Sequence, residues 1–124
     1  NFFDRIIISH VLEHISDPEN FLFNMMNKLK SGGLLSISLP ADPGLLWRLG
    51  KLYIKHYTAK KTYGISSREY EYLLATEHIN SIFNLMSLIK YHFKDQMEES
   101  FLPFKIKLVD LNLFYNVHIT KSTN

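Results

Sequence analysis

Residues Phe3 to Pro40 constrain this chain more than any other segment. Ile6, Ile7 and Ile8 form an apolar β-branched run, the composition of a parallel strand covered on both faces. After a short polar turn comes Asp17-Pro18, read as a helix N-cap followed by proline at the first helical position. Phe21, Leu22, Met25, Met26 and Leu29 then recur at three- and four-residue spacing and describe one buried helix face. Gly32-Gly33 is predicted to end that helix through a left-handed cap. Leu34 to Leu39 reads as a second strand, closed by Pro40. Strand, helix and strand with short connections make a βαβ unit, so the two strands are expected to be parallel with a right-handed crossover.

Beyond Pro40, Ala41 to Gly44 reads as a turn and Leu45 to about Lys61 as a helix. Leu45, Leu49, Leu52, Tyr53 and His56 fall on one side of it, with Arg48, Lys51 and Lys55 on another. Tyr63-Gly64 breaks the helix, and Ser66 or Ser67 can cap a short one running through Leu74. Asn80 or Ser81 can start another, with Ile82, Leu85, Met86, Ile89 and Phe93 as its apolar stripe. Phe101 to Val109 alternates loosely as a half-exposed strand, and Leu113 to Thr120 reads as a last strand. With Asp110, Leu111 and Asn112 between them, the two are predicted to form an antiparallel hairpin. Glu98-Glu99 reads as solvated surface.

At 124 residues the chain can bury the core of one compact domain. Fourteen basic against twelve acidic side chains leave +2, too little to point to nucleic acid. The absence of cysteine excludes a disulfide framework and a thiolate metal site, and is compatible with a cytoplasmic setting. No apolar run approaches the roughly 20 residues of a spanning helix.

Phe3-Asp4 before the first strand, Val11-Leu12-Glu13-His14 with Asp17-Pro18 after it, and Leu29-Lys30-Ser31-Gly32-Gly33 before the second resemble the middle of a class I S-adenosylmethionine-dependent methyltransferase. That resemblance implies an α/β, three-layer αβα Rossmann-like fold, with a mostly parallel sheet and an antiparallel C-terminal edge hairpin. In such enzymes a glycine-rich cofactor loop and an acidic ribose-binding residue precede the matching segment. Residues 1–124 are therefore expected to be the C-terminal portion of a single methyltransferase domain, with 41–76 a helical substrate or lid insertion.

The resemblance also implies site residues. Ser9, His10, Val11 and His14 lie just past a strand's carboxyl end, where open α/β sheets bind ligands, and match the family's S-adenosylmethionine pocket. Glu77 and His78 fall where related enzymes border their acceptor, and a carboxylate beside an imidazole can place a polar group and take its proton. Asp42, Arg48 and Asn80 are the candidate substrate-binding residues, Arg48 because guanidinium pairs carboxylate or phosphate bidentately. The expected activity is methyl transfer to a small-molecule or lipid-like acceptor, with no metal required. The basic, aromatic helix from Trp47 to Lys61 admits peripheral contact with an anionic membrane. Two other classes remain open: a non-catalytic methyltransferase-like binding module, and a zinc hydrolase. The latter rests on His10-x-x-Glu13-His14, with Glu77 as third ligand, and requires both histidines on one face of a continuous helix.

Overall fold

The computed structural model describes residues 2–123, without the side chains of residues 56 and 58–60. The expected βαβ unit is formed: β1 (Phe3–Ser9), α1 (Pro18–Lys28) and β2 (Leu29–Pro40), with β1 and β2 parallel. Asp17 caps α1, accepting a 3.0 Å hydrogen bond from the Asn20 N–H, and Leu22 and Met26 are the buried residues of its apolar face. The helix stops at Lys28, earlier than Gly32-Gly33 suggested. Leu29 already pairs with Phe3, and Lys30 to Gly33 bulge out opposite Asp4 before the register resumes at Arg5 and Leu34. Glycine is needed at position 33 for this bulge, since a Cβ there would meet the Lys30 carbonyl oxygen at 2.9 Å.

From β2 the chain enters a helical excursion. α2 (Leu45–Ile54) continues through π-type turns over Lys55–Tyr63 and ends at Gly64, whose φ of +65° is left-handed. α3 (Ser67–Glu77) opens with a reciprocal capping box: Ser66 Oγ accepts from the Glu69 N–H and the Glu69 carboxylate from the Ser66 N–H. These bonds hold the Glu69 carboxyl below its ordinary range. Neither α2 nor α3 contributes a buried residue. The Leu45, Leu49 and Leu52 side is about half exposed, so it does not pack on the sheet as a core helix would.

α4 (Ile82–Phe93) is capped by Ser81 and buries Ile82, Leu85, Ile89 and Phe93 of the predicted stripe, with its fifth member, Met86, partly buried. β3 (Met97–Leu102) and β4 (Phe114–Thr120) pair antiparallel. The sheet order is β1-β2-β4-β3. β4 is antiparallel to both neighbours, so β1, β2 and β3 run one way and β4 alone runs back. The C-terminal pair is thus antiparallel as expected, but β4 lies inside the sheet with β3 at its edge, and among the described residues one strand pairing of three is parallel where a mostly parallel sheet was expected.

The expected strand from Phe101 to Val109 is displaced toward the N-terminus. Residues 103–113 instead form a compact loop around the buried Asn112 side chain. Its Oδ1 accepts from the Phe104 N–H at 3.0 Å, and its Nδ2 donates to the Ile106 and Leu108 carbonyls at 2.7 and 2.8 Å. These bonds replace a strand ladder, and Phe104, Ile106 and Leu108 are left exposed. Glu99, read as solvated, is partly buried, accepting from the Tyr115 hydroxyl at 3.0 Å and pairing with Lys90 at 3.1 Å.

The core lies on one face of the sheet. Leu35, Ile37 and Leu39 sit opposite Ile119, Val117 and Tyr115, and this apolar face forms one buried cluster with residues of α1 and α4. The other face is polar. Arg5 donates twice to Ser36 Oγ, which lies 3.0 Å from His118 Nδ1, and the surface there is an open groove rimmed by Ile7, itself 68% exposed.

Candidate functional site

β1 ends at Ser9. His10 takes a left-handed backbone (φ +53°) while its N–H donates to the Ser38 carbonyl, and Leu12–His14 forms a single 3₁₀ turn. The continuous helix that the zinc-hydrolase pattern requires is not formed. The turn is fastened to the start of α4. Glu13 O accepts from the N–H groups of Ile79 and Asn80, while Asn80 Nδ2 donates to the carbonyls of Leu12 and Ile15 at 3.0 and 2.6 Å. Asn80 is not the helix cap; its two amide hydrogens hold this turn.

Two cavities of about 520 Å³ each open at this end of the sheet. One is lined by His10, Glu13, His14, Trp47, His78 and Phe114, among others. The second lies between α2 and α3, with Asp42, Arg48, Leu49, Leu52, Glu71 and Leu74 in its walls. Lys51, Tyr70, Leu74 and His78 border both. Lys55, just past α2, and Glu71 of α3 pair at 2.5 Å at the second cavity, and this contact holds the Glu71 carboxyl low. Burial, reinforced by nearby Tyr63, raises the Tyr70 phenol at the shared wall.

The sequence candidates divide. His10, His14 and His78 meet around the first cavity, the His14 and His78 rings edge to face with centroids 4.9 Å apart. Asp42 lies with His78, its Oδ2 3.0 Å from Nδ1, while Oδ1 faces Lys51 at 3.8 Å. Arg48 is exposed at the second cavity. Glu77 has an exposed side chain, and only its backbone reaches the site, His14 Nδ1 donating to its carbonyl at 2.6 Å. Ser9 and Val11 are exposed at the end of β1, outside both cavity walls.

Sequence reading placed Glu13 in the turn signature and the zinc-hydrolase pattern, and not among the cofactor- or substrate-binding residues. Its side chain is 3% exposed, with Oε1 3.7 Å from His10 Nδ1 and 3.6 Å from His14 Nε2. Among the described residues, the buried side-chain polar atoms without a hydrogen-bond partner are Glu13 Oε2 and Trp47 Nε1. Both residues line the first cavity. A buried acceptor and a buried donor without partners thus belong to residues that border one cavity, and unpaired groups of this kind mark a place for a polar partner. A glutamate flanked by two histidines was the available signal; the burial of its carboxylate was not.

Residues 1–37 match the methyltransferase-domain family. None of the curated proteins gives a significant match. Among solved structures, the chain resembles a SAM-dependent methyltransferase from Thermotoga maritima, described as a possible histamine N-methyltransferase, at 19% identity and a TM-score of 0.54. That likeness covers 97% of this chain and 56% of the other. The plantazolicin methyltransferase solved in complex with SAH superposes with a TM-score of 0.61 at 13% identity, over 98% of this chain and 52% of its own. A SAM-dependent methyltransferase from Archaeoglobus fulgidus gives 0.52 at 15% identity, over 97% and 60%. The chain thus spans between half and three-fifths of the length of these structures. The class I methyltransferase resemblance read from Phe3 to Pro40 is borne out: the family match falls on that segment, and the α/β fold is the one these enzymes share.

Proposed function

We propose that this chain, a methyltransferase-domain relative by its first 37 residues and its fold, forms the C-terminal portion of a domain that transfers a methyl group from S-adenosylmethionine to a small-molecule or lipid-like acceptor. The observation that carries the reading is positional. The turn that closes the family-matched strand lines a cavity through His10, Glu13 and His14, and two of that cavity's residues, Glu13 and Trp47, carry buried polar atoms without partners. The state of the sheet supports a larger domain. β1 is an edge strand with Phe3 and Ile7 exposed, and no described helix covers the polar face, whereas parallel strands are normally covered on both sides.

S-adenosylmethionine would supply an electrophilic methyl carbon on a cationic sulfonium. Ser9, His10 and Val11, exposed at the end of β1, are the residues of this chain that would border it, chiefly through their backbone. The acceptor would enter the neighbouring cavity, where Trp47 Nε1 can donate to it. Asp42 fixes the His78 ring through Nδ1, so the imidazole is held in a set orientation at the wall that the acceptor would meet. Arg48, at the α2–α3 cavity, would hold an anionic group. Alignment of the acceptor with the methyl carbon is the main contribution asked of the protein. The exposed leucines of α2 admit contact with a lipid-like acceptor or a membrane surface; among the described residues no helix is long and apolar enough to cross a membrane.

The test is transfer of a labelled methyl group from S-adenosylmethionine by the complete protein to a panel of small and lipid-like acceptors. Turnover that falls in a His78→Ala variant supports the reading. Cofactor binding without turnover on any acceptor would favour a non-catalytic methyltransferase-like module.

A further inference from the structure

We propose that Glu13, His14 and His78 form a binding site for a divalent first-row transition ion of the zinc type, with an open position facing the first cavity. The inference rests on side-chain geometry and does not depend on the methyltransferase reading. One ligand-capable atom from each of the three residues lies within 4.8 Å of the others. The site is not the helical pattern of His10, His14 and Glu77 considered from the sequence: Glu13 stands as a ligand in place of His10, and His78, 64 positions beyond His14, in place of Glu77.

The hydrogen bonds behind the three side chains give the site its direction. His14 Nδ1 must be a donor, since its partner at 2.6 Å is the Glu77 carbonyl, so the neutral ring carries its lone pair on Nε2. That atom faces the Glu13 carboxylate, another acceptor, at 3.6 Å. In the same way Asp42 takes the Nδ1 proton of His78, leaving Nε2 as that ring's ligand atom. A carboxylate or carbonyl behind each imidazole is how metal-binding histidines are oriented and made more basic. The Glu13 carboxylate and the His14 lone pair thus face each other, with a His78 ring nitrogen within 4.8 Å, and a cation between them turns that conflict into coordination.

Glu13 supplies the second, independent observation. It is 3% exposed, and Oε2 has no hydrogen-bond partner. Left alone, a buried carboxylate oxygen loses its hydration without return. The separation of Glu13 Oε1 and His14 Nε2 is already close to the roughly 3.3 Å edge of a tetrahedron with ligands about 2.0–2.1 Å from zinc. Two imidazoles and one carboxylate favour zinc, cobalt or iron over magnesium, which takes oxygen ligands. Three protein ligands leave a coordination position for water or an acceptor oxygen from the cavity.

The test is titration of the complete, metal-stripped protein with Zn²⁺ followed by calorimetry, and with Co²⁺ followed by its visible absorption, both without S-adenosylmethionine. One ion per chain is expected, with an intense low-symmetry Co²⁺ spectrum that Zn²⁺ bleaches and Mg²⁺ does not. Glu13→Gln, nearly isosteric, and His14→Ala should each weaken binding at least tenfold. Asp42→Asn should weaken it less, as a group that orients His78. His92→Ala, a histidine paired with Glu19 elsewhere, should bind like wild type. Absence of stoichiometric binding, or undiminished binding in a folded Glu13→Gln variant, overturns the proposal, and neither result touches the methyl-transfer assay.

Discussion

The Asn80 side chain donates from Nδ2 to the carbonyl of Leu12 at 3.0 Å, and to that of Ile15 at 2.6 Å, across more than sixty residues of sequence. With the two backbone bonds to Glu13 O, it makes the turn after β1 and the approach to α4 one unit. Glu13, His14 and His78 all project from that unit. Asn80→Ala strands two partly buried carbonyls, and each lost bond is worth about 1 kcal/mol with a further penalty for what is left unpaired. We expect a loss of roughly 2–4 kcal/mol in denaturant unfolding, with Asn80→Asp no better because the two carbonyls need a donor.

Glu77 and His78 are adjacent in sequence and separated in role. His78→Ala should lower kcat at least tenfold in the complete protein while changing cofactor affinity little. Glu77→Gln should leave kcat within about twofold, because only the Glu77 backbone reaches the site. Steady-state kinetics with separate cofactor titrations check both. Equal losses in the two variants would return the Glu77 carboxylate to the site.

Arg48→Ala should raise the acceptor's KM with kcat nearly unchanged, provided the acceptor carries phosphate or carboxylate. The same substitution should not alter cofactor affinity, since Arg48 borders the α2–α3 cavity and lies outside the wall formed by His10 and Glu13. A matched pair of acceptors with and without the anionic group isolates the effect.

Tyr115 gives a pH signature. Burial, with the Glu99 carboxylate beside it, raises its phenol far above the usual value. The unfolded chain loses this proton near pH 10 while the folded chain keeps it. Stability from this group is therefore complete below about pH 10 and is lost as pH rises through the range between the two values. Tyr115→Phe should flatten the alkaline decline seen in urea unfolding, at some cost in stability at neutral pH from the lost 3.0 Å bond to Glu99.

Most of the fold was legible where local and global signals agree. The Ile6–Ile8 run, the Asp17-Pro18 cap and the Ile82, Leu85, Ile89, Phe93 stripe each carry a period or punctuation that short-range chemistry enforces. β3 was misplaced because its inward positions are Met97, Glu99 and Phe101, and a charged side chain facing inward breaks the apolar alternation. What satisfies Glu99 is a tyrosine sixteen residues away, which no window around β3 contains. Asn112 was read as a turn residue for the same reason: the three backbone groups it serves are visible only once the loop closes. In the site, the types and positions of His10, His14 and His78 were legible. The burial of Glu13 and the orientation of each ring through Asp42 and Glu77 O were not, because both depend on α4 docking against the turn.

The central claim is that this chain carries one wall of an S-adenosylmethionine pocket that further residues complete. Calorimetric titration with S-adenosylhomocysteine compares residues 1–124 with the complete protein. The account predicts stoichiometric binding by the complete protein, weakened by bulky substitution at Ser9, and binding by residues 1–124 that is absent or at least a hundredfold weaker. Failure of the complete, folded protein to bind would contradict the methyltransferase assignment, and equal affinity in the two forms would contradict the shared pocket.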